Sequence, residues 1–247
     1  MALFKKKKQL DSNSMKNGVG LITVTKPTSS IAEQFRTIRT NIQFSSADRQ
    51  LKTLVFTSAD PSEGKSTISS NVAVTWADQG NKVLLIDGDL RRPTVARSFR
   101  VSNSHGLTTI LTAKQANLGE SIHETEVPNL YVLPSGPVPP NPSELLNSSK
   151  MDQLLKVLKE QFDIIILDVP PVNTVTDAQI LASKVDGIVL VVPQGIAIKG
   201  AVLRARDLLQ KVHANLIGTV LNRVSTTDST GYYGGYYGGY YGTDDKK

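Results

Sequence analysis

Six short apolar runs, at residues 53–56, 83–86, 130–133, 164–167, 188–192 and 216–221, constrain this chain more than anything else in it. They are continuous and rich in β-branched residues, with no polar residue at every second place. Strands buried on both faces read this way. Helical patterns lie between them, at 66–79 (ended by Gly80), 177–184 and 197–213. Another runs over 151–162, with Met151, Leu154, Leu155 and Leu158 at helical spacing. Ser30 followed by Glu33 reads as a capping box that opens one more helix, over 30–44. The alternation predicts an α/β fold, a mostly parallel sheet flanked by helices on both sides. A chain of 247 residues suffices for one such domain with a sizeable core. Residues 1–27 read as a flexible basic arm and 28–224 as the folded domain. From 225 onward there is no apolar periodicity, and disorder is expected. The proline-rich stretch 134–142 reads as a stiff, exposed connection beside the site.

The first run leads into Thr57-Ser58-Ala59-Asp60-Pro61-Ser62-Glu63-Gly64-Lys65-Ser66-Thr67, and a helical pattern follows at once. Strand, tight turn and helix N-terminus are the context of a phosphate-binding loop. Turn amides can wrap a triphosphate, and the helix N-terminus favours its charge. Residues 59–67 are the nucleotide-binding candidates. Lys65 reaches the β- and γ-phosphates in such a loop, and the Ser66 hydroxyl holds Mg2+. Ala59 departs from the pattern, since the consensus has its first glycine there.

Two further runs end in acids. Residues 83–86 lead into Asp87-Gly88-Asp89-Leu90-Arg91-Arg92-Pro93, and 164–167 into Asp168-Val169-Pro170-Pro171. Ligands of open α/β sheets bind at the carboxyl ends of strands. Spacing of two along a strand puts Asp87 and Asp89 on one face. One strand-end Asp is ordinary turn chemistry; three beside a phosphate loop make a coherent metal and nucleotide site.

Together these motifs resemble the bacterial tyrosine kinases of capsular and exopolysaccharide synthesis, over about residues 26–241. The family carries a Walker A loop, an Asp-x-Asp motif running into Leu-Arg-Arg-Pro, and a Walker B acid. The resemblance implies a P-loop NTPase fold of the cell-division and partition ATPase type, with ATP and Mg2+ as cofactors. No Gly-rich loop or His-Arg-Asp loop of eukaryotic-type kinases occurs. It implies catalytic roles for Lys65, Asp87 and Asp89, and metal ligation by Ser66, Asp89 and Asp168. Asp87 is the expected acceptor of the tyrosine proton, its role exchangeable with that of Asp89. Glu33, Arg36 and Arg39 match the family's Glu-x-x-Arg-x-x-Arg oligomerisation motif and imply a ring of identical subunits. On spacing alone they read as an exposed helix face with local ion pairs. Asn222, after the last run, is either an adenine contact, as in related ATPases, or a turn cap.

Six of the seven tyrosines, Tyr232, Tyr233, Tyr236, Tyr237, Tyr240 and Tyr241, cluster between Gly-Gly pairs. By the resemblance they are phosphoacceptors, modified between subunits. The resemblance also implies a separate membrane-embedded activator of the polysaccharide chain-length machinery, protein tyrosine substrates and a cognate phosphotyrosine phosphatase. The protein is then cytoplasmic, peripheral at the membrane through its activator.

Composition narrows the rest. The chain has no cysteine, which excludes disulfides and thiolate chemistry. His105, His123 and His213 lack ligand spacing. No apolar run approaches the roughly 20 residues of a membrane span, and the first ten residues lack a signal-peptide core. The net charge is +6, and residues 5–8 are all lysine, either a solvated arm or a weak contact with an anionic leaflet. No aromatic residues interleave with the basic ones, so no nucleic acid is expected. A rival reading is a switch ATPase that dimerises on ATP at a membrane or on DNA. Those proteins carry an extra lysine near the start of the loop, where this chain has Ala59-Asp60-Pro61.

Overall fold

Side chains alternate along each central strand into two separate cores, one on either face of a seven-stranded sheet. This is why the strand sequences are apolar at every position. The computed structural model describes residues 13–45, 51–115 and 117–224. The lysines at 5–8 and the tyrosine cluster lie outside them. The strands are β1 (Thr53–Ser58), β2 (Val83–Asp87), β3 (His123–Glu124), β4 (Leu130–Leu133), β5 (Ile164–Asp168), β6 (Gly187–Pro193) and β7 (Leu216–Asn222). Their order is β3-β4-β2-β5-β1-β6-β7, all parallel except the short β3, which runs antiparallel to β4. The helices before β1 are α1 (Ser14–Asn17), α2 (Ile22–Thr25) and α3 (Ser30–Phe44). After it come α4 (Lys65–Ala77), α5 (Val95–Ser98), α6 (Leu107–Thr112), α7 (Leu118–Ser121), α8 (Pro142–Leu146), α9 (Ser149–Gln161), α10 (Asp177–Ala182) and α11 (Lys199–Lys211).

Leu54, Phe56, Leu85 and Ile166 face α4 and, beyond it, Phe35 and Ile42 of α3. Val55, Leu84, Ile165 and Leu167 face the opposite way, against Met151, Leu154, Leu155 and Leu158 of α9 and Leu181 of α10. α4 is buried almost all round because α3 covers the side that the sheet does not. Among the described residues no helix is long and apolar enough to cross a membrane.

Three expectations change. Helix α3 is capped by Ser29, one residue earlier than expected. The Ser29 backbone is extended, and its hydroxyl accepts the Ala32 amide at 3.2 Å. Glu33 therefore falls past the third helical position and cannot close a capping box; it pairs instead with Arg36. Residues 13–27, expected within a flexible arm, fold against α4 and α5. The Asn71 side chain is their hub. Its Oδ1 accepts both the amide (3.0 Å) and the hydroxyl (2.9 Å) of Thr23, and its Nδ2 donates to the Gly20 carbonyl (2.9 Å). A few side-chain bonds order this stretch, and no periodic pattern announces them. The stretch 134–142 is exposed only in part: Pro134, Ser135 and Gly136 are buried, Ser135 and Gly136 bonded to Asn103, and Pro142 is buried in α8.

Replacing Asn71 by Ala leaves two buried groups of Thr23 unpaired. The expected loss is about 1–3 kcal/mol, read from the urea midpoint, with faster hydrogen exchange at the Thr23 amide. Unchanged protection there would show that residues 20–25 are held by something else.

Candidate nucleotide and phosphotransfer site

The carboxyl ends of β1, β2 and β5 lie side by side, and their register sets Asp87 directly opposite Asp168. The loop after β1 runs over these ends into α4. A cleft of about 290 Å3 opens there. It is lined on one side by Pro61, Ser62, Gly64, Lys65, Ser66 and Thr67, and on the other by Asp89, Arg91, Arg92 and Thr94. Pro170, Pro171 and Arg223 form part of the wall, and Ser14, Met15 and residues 18–20 close it. The N-terminus of α4, the longest helix that begins at the cleft, offers free amides and the positive end of its dipole to an anion.

Lys65 is buried, and its ammonium sits 3.0 Å from Asp89 Oδ2 and 3.5 Å from Asp168 Oδ1. It lies 3.3 Å from the Ser66 hydroxyl. Burial alone would lower its pKa; Asp168 and then Asp89 outweigh that and raise it. Asp168 is fully buried, and burial holds its carboxyl above the usual range against the pull of Lys65 and the Ser66 hydroxyl. Two carboxylates and a hydroxyl thus converge on one positive charge, a donor set that suits Mg2+. Among the described residues no three His, Cys, Asp or Glu side chains could hold a metal by themselves. Mg2+ commonly binds through one or two carboxylates with phosphate oxygens completing the shell, so the residues fit a nucleotide-bound ion.

Asp87 differs from expectation. It is wholly buried, and its Oδ2 accepts the amides of Thr94 and Val95 at 2.9 Å each. Its Oδ1 accepts the Asp89 amide at 3.3 Å. Burial, then the nearby Asp168, push its carboxyl up to about 8. Its oxygens accept backbone amides, but those of Asp89 are engaged too, Oδ1 by the Arg92 amide at 3.0 Å and Oδ2 by Lys65 at 3.0 Å, so access to the cleft is what separates the two acids. Asp89, two residues on, is the acid that lines the cleft.

Asn222 reaches the loop itself: its Nδ2 donates to the Glu63 carbonyl at 3.0 Å. Gly64 makes room for it, with φ of +97° and only 2.2 Å between a built Cβ and that nitrogen. Arg91, on the cleft wall, pairs with the buried Asp177 at 2.9 and 3.3 Å, and Ser143 joins them from α8. Of the expected oligomerisation residues, Glu33 and Arg36 form an exposed pair at 2.7 Å. Arg39 instead turns inward, is 8% exposed, and donates to the Thr75 carbonyl at 2.7 Å. Six residues on from Glu33 the helix has turned about 600°, roughly 120° short of two full turns, which carries Arg39 round to the α4 side. Residues 14–20 and Arg223 escaped the sequence reading as cleft residues. Arg223 follows Asn222 directly, but 14–20 carry no motif at all.

A model of the AAA domain family matches residues 51–217. Tyrosine-protein kinase YwqD of Bacillus subtilis (strain 168) is 45% identical over 216 residues, 87% of this chain and 91% of the relative. The kinase domain of Escherichia coli tyrosine kinase ETK superposes with a TM-score of 0.78 at 34% identity, covering 85% of this chain and 84% of that one. The Pyrococcus furiosus cell division ATPase MinD superposes with a TM-score of 0.59 at 29% identity, covering 69% and 71%. Likeness to YwqD extends over nearly the whole of both chains. The chain belongs to the bacterial tyrosine-protein kinases built on a P-loop ATPase fold.

Proposed function

We propose that the cleft binds ATP with Mg2+ and transfers the γ-phosphoryl group to tyrosines of the chain's own C-terminal cluster and of other proteins. The observation that carries this is the Lys65 ammonium held between Asp89 and Asp168 at the mouth of the phosphate loop. Phosphoryl transfer needs positioned charge more than covalent help. Lys65 holds the β- and γ-phosphates, and the amides of residues 62–67 enclose them, those of Ala59 and Asp60 being taken by Glu63. Ser66 and Asp168, with Asp89 beside them, would hold the metal, which neutralises charge on the transferring group when bound. Asp89 takes the tyrosine proton, in exchange with Asp87, whose part is to fix residues 88–95. Asn222 supports the loop from below.

The described chain ends just beyond Arg223, on the cleft wall. Nine residues from there to Tyr232 span at most about 30 Å, and mixing two variants decides whether the tyrosines enter the chain's own cleft or a neighbour's. Glu33 and Arg36, exposed on α3, are the proposed subunit contact in a ring. By the family resemblance the setting is capsular or exopolysaccharide synthesis, with a separate membrane activator and a cognate phosphatase.

Lys65→Met should lower autophosphorylation by about a hundredfold or more. Mixed with active chain whose six tail tyrosines are Phe, the Lys65→Met chain should become phosphorylated. If its tail stays bare in that mixture, transfer is within one chain. Asp89→Asn should cut phosphorylation of an added peptide by about a hundredfold or more. Asp87→Asn should chiefly cost stability, about 1–3 kcal/mol, by turning an NH2 toward a backbone amide that Asp87 accepts, and its folded fraction should keep most of that activity. A folded Asp87→Asn chain as inactive as Asp89→Asn would rule out this division of roles. Finally, Glu33→Ala with Arg36→Ala should give monomers by light scattering, whereas Arg39→Ala should chiefly destabilise the fold. An unchanged mass for the double variant removes α3 from the interface.

A further inference from the structure

Glu63 is the buried acid of the loop, 3% exposed, and its side chain has no part in the scheme above. Its side chain folds back beneath its own loop. Oε2 accepts the Ala59 amide at 2.9 Å and the Asp60 amide at 3.1 Å. The Glu63 carbonyl takes the Asn222 amide on the other side, and the Ser58 hydroxyl donates to the Asp60 carbonyl at 2.8 Å. The residues flanking Glu63 are both left-handed, Ser62 with φ of +63° and Gly64 with φ of +97°. For Ser62 that conformation is unfavourable, and it persists only where the surroundings fix it.

We propose that Glu63 is a positioning residue for phosphate binding, its carboxylate clamping residues 59–64 into the shape whose rim lines the cleft. This rests on the nucleotide reading of the site. It also accounts for Ala59 in place of the consensus glycine. The turn is held here by a side chain that bonds the Ala59 amide, rather than by the freedom of a residue without Cβ. A negative charge directly under a phosphate loop opposes the ligand. What Glu63 contributes is therefore reach and acceptor geometry, and its charge is incidental. Burial raises its carboxyl, against the Ala59 and Asp60 amides.

Two substitutions in the full chain separate reach from charge. Glu63→Asp keeps the charge and shortens the arm by one methylene; Glu63→Gln keeps the arm and removes the charge. Labelled ADP is titrated into each with Mg2+, and KM for ATP and kcat on an added peptide are measured alongside melting temperature. Glu63→Asp should weaken ADP by about tenfold or more, as a displacement of about an ångström in a positioning group does, and raise KM with little loss of kcat. Glu63→Gln should bind at least about fivefold tighter than Glu63→Asp, since its amide oxygen still accepts both N–H groups. Wild-type affinity in Glu63→Asp, or equal losses in both variants, overturns the clamp while the nucleotide reading stands. Failure of the wild-type chain to bind ADP overturns that reading and the clamp with it.

Discussion

A buried ammonium among carboxylates is the constraint on which the site depends. Lys65 meets Asp89 and Asp168 where three central strands end, in a place that water hardly reaches. Removing charges from water is expensive, and the mutual attraction of the group offsets that cost only with good geometry and satisfied hydrogen bonds. The rest of the domain supplies both. The parallel register of β2 and β5 brings Asp87 beside Asp168, and backbone amides of α5 occupy Asp87. One ammonium still faces three carboxylates, and the burden falls on Asp87, whose carboxyl is pushed up to about 8.

Most of the fold was legible because the strands are buried on both sides. Each of the six apolar runs became a strand, five of them lengthened by a residue or two and 130–133 with its bounds unchanged. The seventh strand, His123–Glu124, is two residues long at the sheet edge and has no pattern to show. The phosphate loop and the three acids were legible because they sit at strand ends, where topology forces them together. The distinction between Asp87 and Asp89 was not legible. Both are aspartates on the same motif, and only the path of residues 88–95 decides which one faces the cleft.

Helix α3 teaches the same lesson from its side chains. Glu33, Arg36 and Arg39 look alike by spacing, yet a rotation of 100° per residue carries the third into the groove against α4. There Arg39 bonds a carbonyl near the end of that helix, where the dipole is negative. Its burial could not be read without knowing which element covers α3. The cap at Ser29 rather than Ser30 is a smaller case. Two adjacent serines are equivalent in sequence, and the backbone turn chooses between them.

The chain crosses the cleft mouth at residues 14–20 before it enters the sheet, and it leaves β7 at the same mouth through Arg223. Both ends of the folded part therefore emerge where phosphate chemistry is expected, and neither emerges on the far side of the sheet. Anything that engages residues 14–20 or Arg223, whether a fluorophore or a partner that pulls, sits at the door of the cleft rather than behind it. A handle for this domain that leaves the door clear belongs elsewhere, on exposed positions of α9 or α11 such as Val157 or Leu203.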